Sequence, residues 1–412
     1  MSLNTPLSAR RRWLAVVLIA LGAFALVFIE LLPVGMLPTV SRSLHVSEGT
    51  AGLVVTVTAW VAAVTAPLIP LAVGRLDRRW VLASLTLMLV ISSLLAIVAN
   101  SFTALLIARA VLGLAAGGFW AAGILAATAL MPERAHTASS LVFGGIALGT
   151  VLSAPVGSFL VGFMQWNQVY AIGLVLGLLV FVLQLLLLPP IRAERAVGLR
   201  DFGAVLRSPA LVTVLALVVL LVIGNFAGFT FITPYLQQVT HATPTTVSVL
   251  LLVYGLITFL GNFAGGQFAG KSSMATVVVT AILFVVGLGL LIAFGRSLPV
   301  VIGGLVLWAL AWSATPVGTQ VLLFVVANKA GHPVDAAQAL NTSVFQASIG
   351  LGALVGGAAV NAAGVGSAMA LATIVLTVAL LTSIALSSAL RRRARSVPGA
   401  GSELSDHELA AS

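Results

Sequence analysis

The sequence predicts an all-α integral membrane protein of about twelve spanning helices in two six-helix halves. Three observations carry this: 60% of the 412 residues are hydrophobic and only 7% are charged, the apolar residues fall into long continuous runs, and one polar stretch divides those runs evenly. So few charges cannot clothe a water-soluble surface, where about a quarter of residues are normally charged. Lipid also requires every backbone N–H and C=O to be paired within its own segment, so continuous, non-alternating runs predict helices rather than strands.

About 20 residues cross about 30 Å of hydrocarbon. The first span on that measure is 14–38. Arg10, Arg11 and Arg12 ahead of it would suit a signal peptide, but the run is too long and contains Glu30 and two prolines, so a retained helix is expected. The second span, 49–72, carries Trp60, and a third follows at 80–99. The fourth, 103–131, holds Arg109 and Trp120; the fifth, 138–163, is rich in glycine; the sixth is 169–188. The polar stretch 189–208 reads as a tether between an N-terminal half, 1–188, and a C-terminal half, 209–390. In that second half, 210–236 carries Asn225 and Phe229, and spans at 246–269 and 275–294 follow. Trp308 and Trp312 lie in 299–326, Asn341 and Gln346 in 335–362, and the last span is 367–390. Residues 391–412, with Gly, Ser and acidic side chains toward the end, read as a disordered tail.

Charge sets the expected orientation. With both termini cytoplasmic, Arg10–Arg12, Arg75, Arg78, Arg79, Arg134, Arg192, Arg195, Arg200, Arg207, Lys271, Lys329 and the arginines after 390 all fall inside. Only Arg42 and Arg296 remain outside, as the positive-inside rule requires. The net charge of +10 is thereby explained by topology, and nucleic acid is not an expected partner. The absence of cysteine and the scatter of five histidines exclude disulfides, Cys-ligated metals and thiol nucleophiles. No cofactor, metal or enzymatic activity is expected, and the working unit is expected to be a monomer whose partners are a small-molecule substrate, protons and the lipid bilayer.

Motifs sharpen the reading. Gly74-Arg75-Leu76-Asp77-Arg78-Arg79 follows the second span, and Gly266-Gln267-Phe268-Ala269-Gly270-Lys271 stands at the matching place in the second half. The pair resembles the loop signature of the major facilitator superfamily, which fastens neighbouring helices on the cytoplasmic side; the second copy lacks the aspartate. Arg109, followed one turn later by Gly113, resembles the family's intramembrane arginine motif. Gly145, Gly149, Pro155 and Gly157 resemble the glycine-proline motif of its proton-coupled antiporters, with alanine before the proline and Ser158 in place of a second glycine. Glu30-Leu31-Leu32-Pro33-Val34, Val55–Ala62, Ala99-Asn100-Ser101-Phe102 and Gly113–Ala121 are similar to the purine ribonucleoside efflux pumps and their sugar-efflux relatives in the drug:proton antiporter group. The resemblance implies a major facilitator fold in the bacterial inner membrane. It also implies proton-driven export of a nucleoside or a similar small polar or aromatic compound by alternating access. A passive facilitator or importer on the same fold is the alternative; an intramembrane enzyme or receptor is more distant.

Glu30 is the only acidic residue deep inside a predicted span. It lies about 12 Å from the outer end of its helix and Arg109 about 9 Å from the outer end of its own, at 1.5 Å per residue. An intramembrane arginine costs at least about 2.5–3.5 kcal/mol and needs a partner, so an interaction between the two is expected. Burial and a neighbouring guanidinium act in opposite senses on a carboxyl, so a conformational change that alters either would bind or release a proton. Glu30 and Arg109 are therefore the candidate coupling pair. Residues four apart share a helix face, which groups Asn225 with Phe229, Trp308 with Trp312, and Asn341 with Phe345 beside Gln346. With Trp60 and Trp120 in the first half, these are the candidate solute contacts. Gly265–Ser272 also matches the phosphate-loop pattern, but an apolar helix precedes it where that chemistry needs a strand, so nucleotide hydrolysis is not expected.

Overall fold

A computed structural model of the chain describes residues 8–73, 76–191, 199–331 and 334–395. Among these, twelve helices are long and apolar enough to cross a membrane. They are α1 (Ala9–Ser43), α2 (Glu48–Ile69), α3 (Arg78–Ile97), α4 (Phe102–Leu130), α5 (Thr137–Leu160), α6 (Trp166–Leu187), α7 (Pro209–Phe229), α8 (Pro244–Lys271), α9 (Ser273–Phe294), α10 (Leu298–Lys329), α11 (Ala336–Ala363) and α12 (Gly366–Ser388).

Several ends differ from the expected spans, for local reasons. The seventh helix stops at Phe229 instead of running on to 236, and a short helix Ile232–Gln238 follows it. Pro234 has no N–H to give the Thr230 carbonyl four residues back, so the ladder breaks there. The hydroxyl of Thr230 bonds back to the Phe226 carbonyl at 2.7 Å. Part of the expected tether is itself helical, Leu199–Arg207, and the last helix continues to Arg395, past the expected start of the tail. Of the rest of both, 192–198 and 396–412 lie outside the described residues. Gly265–Lys271 is α-helical, so the phosphate-loop pattern forms no loop.

The packing repeats with an offset of six helices. In the first half α1 packs on α5, α4 on α2 and α3, and α3 on α6; in the second α7 packs on α11, α10 on α8 and α9, and α9 on α12. The halves meet along α2 with α11 and α5 with α8, two contacts that the same offset exchanges.

Small residues set the closest approaches. A Cβ on Gly35 of α1 would overlap the Ala154 carbonyl of α5, and one on Gly145 of α5 would overlap the Ala20 carbonyl of α1. Cβ atoms at Gly149 and Gly157 would stand 2.8 and 2.6 Å from the Phe24 and Leu32 carbonyls. Gly352 and Gly356 repeat the device in the second half, against the Ile223 and Ala227 carbonyls of α7 at 2.7 and 2.5 Å. Backbone cannot retreat as a flexible side chain can. Gly35→Val is accordingly expected to cost about 3 kcal/mol or more, read as a lowered midpoint of thermal unfolding in detergent beside Gly289→Val, where a Cβ would meet open space.

Candidate functional site

The site is built on a proline. Pro33 has no N–H, so the Ile29 carbonyl one turn earlier in α1 lacks its helical donor. Arg109, reaching from α4, supplies one: its guanidinium donates to the carbonyls of Ile29 at 2.8 Å, Glu30 at 2.5 Å and, through Nε, Val54 of α2 at 3.0 Å. Thr58 reinforces the knot by donating its hydroxyl to the Val54 and Arg109 carbonyls at 3.0 and 3.2 Å. Gly113, one turn after Arg109, lets α4 approach this point, for a Cβ would stand 2.6 Å from the Thr58 carbonyl. The planar fork of an arginine suits such a bundle of acceptors; a point-charge ammonium does not.

Glu30 and Arg109 thus meet through the Glu30 backbone, and their side chains form no salt bridge. The Glu30 carboxylate is turned the other way, toward the second half, where it accepts from Gln346 Nε2 of α11 at 3.2 Å. Both side chains are buried, 7% and 3% exposed, at the junction of the halves.

That junction continues toward the side away from the chain termini. Trp60 of α2 donates its indole N–H to the Ala347 carbonyl of α11 at 3.3 Å and lies edge-on against Gly350. Gly49 and Gly357 pack backbone to backbone near the helix ends, and Gln238 donates to Glu48 at 2.7 Å. On the α5–α8 side, Pro155 leaves the Val151 carbonyl without its helical donor, and that carbonyl lies 2.8 Å from where a Cβ of Gly255 would stand.

The candidate solute contacts separate into two groups. Asn225, Phe229, Trp308 and Trp312 come together in the second half: Trp308 donates to Asn225 Oδ1 at 2.8 Å, and the ring centroids of Phe229 and Trp308 are 6.3 Å apart. Tyr254, stacked on Phe229 at 5.2 Å, and Phe226, edge-on to Trp312 at 5.5 Å, complete the cluster. Sequence reasoning missed both, although Phe226 is the neighbour of Asn225. Trp308 is wholly buried and presents no open face, whereas Trp312 and Phe345, 6.0 Å apart, are partly exposed. The amide nitrogen of Asn225 and the amide oxygen of Asn341 are buried without a protein partner. Trp120 stands apart, in a small apolar niche with Ala23, Val27, Phe119 and Ile146.

The loop signature is a second knot. The Asp77 carboxylate caps α3 by accepting from the Arg79 N–H at 3.0 Å and takes the Ile191 N–H beyond α6 at 2.8 Å. Arg78 N–H returns to the Ile191 carbonyl at 3.0 Å. The Arg79 guanidinium donates to the Leu185 carbonyl, which Pro189 leaves without a helical donor. Gly74 lies outside the described residues.

The family model of the Major Facilitator Superfamily matches residues 13–334. The purine ribonucleoside efflux pump NepI of Salmonella paratyphi C (strain RKS4594) is 30% identical over 354 residues, 86% of this chain and 88% of its own. Among solved structures, nucleoside transporter NupG superposes with a TM-score of 0.75 at 13% identity, covering 91% of this chain and 99% of its own. A D-xylose-proton symporter superposes at 0.70 and 14%, covering 90% and 96%. At such identities the structures establish the fold.

Proposed function

The chain belongs to the Major Facilitator Superfamily, and from that premise we propose that it exports a small polar or aromatic solute of the purine nucleoside kind by proton antiport. It is a multi-pass membrane transporter and not an enzyme. The observation that carries the antiport reading is Glu30: an acid buried at the junction of two halves, hydrogen-bonded across it to Gln346. Separating the halves would take that carboxyl from a protein partner to water and change its hold on a proton. Arg109, spent on backbone carbonyls, keeps the helix beneath it in place. The seam at Trp60, Gly49 and Gln238 closes the side away from the termini, and in the proposed alternating-access cycle closure of that side belongs to the state that takes up solute from the side of the termini. With basic loops cytoplasmic in a bacterial inner membrane, that is the loading state of an exporter.

Aromatic rings with unsatisfied amides suit a planar solute rich in hydrogen-bonding groups. Asn225, Trp312, Asn341 and Gln346 in the second half and Trp60 opposite are the proposed contacts, with Phe229 and Trp308 bracing them and Trp120, in its own niche, a separate proposed contact. NepI, similar over most of the chain, is named for purine ribonucleosides. One chain supplies both halves of this site, and a monomer is the proposed working unit.

The test is transport by the purified chain in proteoliposomes under an imposed pH gradient, with radiolabelled inosine and, in parallel, arabinose. Inosine accumulation that collapses with the gradient, accompanied by proton flux, is expected. Inosine equilibration with no proton flux would leave a passive facilitator, and movement of arabinose alone would overturn the nucleoside assignment.

A further inference from the structure

Gln346 stands between the candidate coupling acid and the aromatic face of the second half. Across the seam its amide donates to Glu30 at 3.2 Å. Its neighbour along α11, Phe345, leans on Trp312 with centroids 6.0 Å apart, and Trp312 meets Phe226 at 5.5 Å. One turn beyond, Gly350 is pressed against the Trp60 ring and 3.0 Å, measured from where a Cβ would stand, from the Thr56 carbonyl. At Gly350, then, α11 packs directly against α2. Phe345 and Gln346 are consecutive in α11, so a displacement of that turn moves both.

The chemistry of an amide fits the position. Its NH2 donates to a carboxylate and, turned over, its oxygen accepts from a carboxylic acid, so Gln346 can hold Glu30 in either protonation state. The other titratable groups near Glu30 are Arg109 of α4, committed to three carbonyls, and, beyond Arg109, Tyr170 at the start of α6. From α2, α5 and α11 no ionisable side chain faces it at this depth among the described residues. Gln346, the hydrogen-bond partner of the carboxyl, belongs to the half that carries the Trp312–Phe345 face.

We propose that Gln346 is a positioning residue that makes proton exchange at Glu30 depend on occupancy of the Trp312–Phe345 face. With the face empty, the amide keeps the carboxyl in the seam. A planar solute seated against the two rings shifts α11 and withdraws the amide, and Glu30 then exchanges its proton with water. This rests on the reading that Glu30 carries the coupled proton.

The test uses the full chain in proteoliposomes with an internal pH dye, with and without inosine. Gln346→Met keeps the side-chain length and removes the hydrogen bond. It is expected to raise solute-independent proton flux about ten-fold, the factor given by about 1.4 kcal/mol, and to make that flux indifferent to inosine. Adding Glu30→Gln to Gln346→Met should abolish the leak. The exchange pair Glu30→Gln with Gln346→Glu keeps one acid and one amide facing each other and should restore inosine-dependent flux. Should Gln346→Met not be recovered folded, Gln346→Asn, one methylene too short, should leak in the same sense. The inference is overturned if Gln346→Met keeps an inosine response and pH profile within about two-fold of the parent. A parent whose inosine-linked proton flux survives Glu30→Gln would instead show that the coupling reading fails, and the inference with it.

Discussion

Arg109→Lys is expected to abolish transport while leaving the charge in place. The guanidinium reaches three carbonyls at once from one plane, and a compact ammonium with a shorter overall reach can satisfy one or two of them. The loss is uneven. Helical N–H groups remain in register for the Glu30 and Val54 carbonyls, and Thr58 also serves Val54. The Ile29 carbonyl has no other donor, because residue 33 is proline, and a buried unsatisfied carbonyl costs about 1–3 kcal/mol. Losing two of the three bonds would lower the productive population by about 10- to 100-fold, with each 1.4 kcal/mol a factor of ten. Solute flux in proteoliposomes together with thermal unfolding in detergent reads both effects. Parent-like flux in Arg109→Lys would show that charge alone suffices and that the carbonyl knot is incidental. Loss of flux with an unfolding midpoint lowered by several degrees is the outcome the geometry requires.

This knot shows how far the sequence could be read. Twelve spans follow from composition and run length, because lipid leaves the backbone few alternatives. The expectation of two halves rests on a polar stretch in the middle. The partner of Arg109 was a harder problem. Matching depths along helices treats Glu30 and Arg109 as two charges and expects them to pair. It ignores that Pro33 creates an acceptor deficit at Ile29 whose direction only the folded α1–α4 contact reveals. The signal was nonetheless present: a carbonyl four residues before an intramembrane proline needs a donor. The same rule accounts for Arg79 and the Leu185 carbonyl before Pro189, and for the break of α7 before Pro234. Helical spacing likewise grouped Trp308 with Trp312, but it cannot say which way a face turns. Trp308 proved wholly buried while Trp60 is 43% exposed at the seam. Tyr254 escaped because α8 was read for its terminal motif and not for its faces.

Glu30→Gln separates the two roles an acid at this junction can have. Glutamine has nearly the shape of the protonated acid and can still hydrogen-bond to Gln346, so the seam should close as before. Stability should stay within about 1 kcal/mol of the parent, as for a swap that keeps the hydrogen bond and removes an ionisable group. What the variant cannot do is ionise. If the cycle returns through a state in which Glu30 has given up its proton to water, solute-linked proton flux should fall at least about 100-fold, equivalent to about 2.7 kcal/mol. Exchange of labelled for unlabelled inosine, which needs no net proton movement, should persist. Glu30→Asp, one methylene shorter and still an acid, should lie between the two. The pH dependence follows with a definite sign. An exporter must discharge its proton to the side the solute came from, so parent transport should slow as that side is acidified toward the far side's pH, and Glu30→Gln exchange should be flat over the same range. A Glu30→Gln protein that moves protons with its solute at the parent rate would sink Glu30 as the coupling group. Loss of exchange as well as proton flux, with normal stability, would place Glu30 in solute binding instead, because both losses would then share one cause in the empty-to-loaded step.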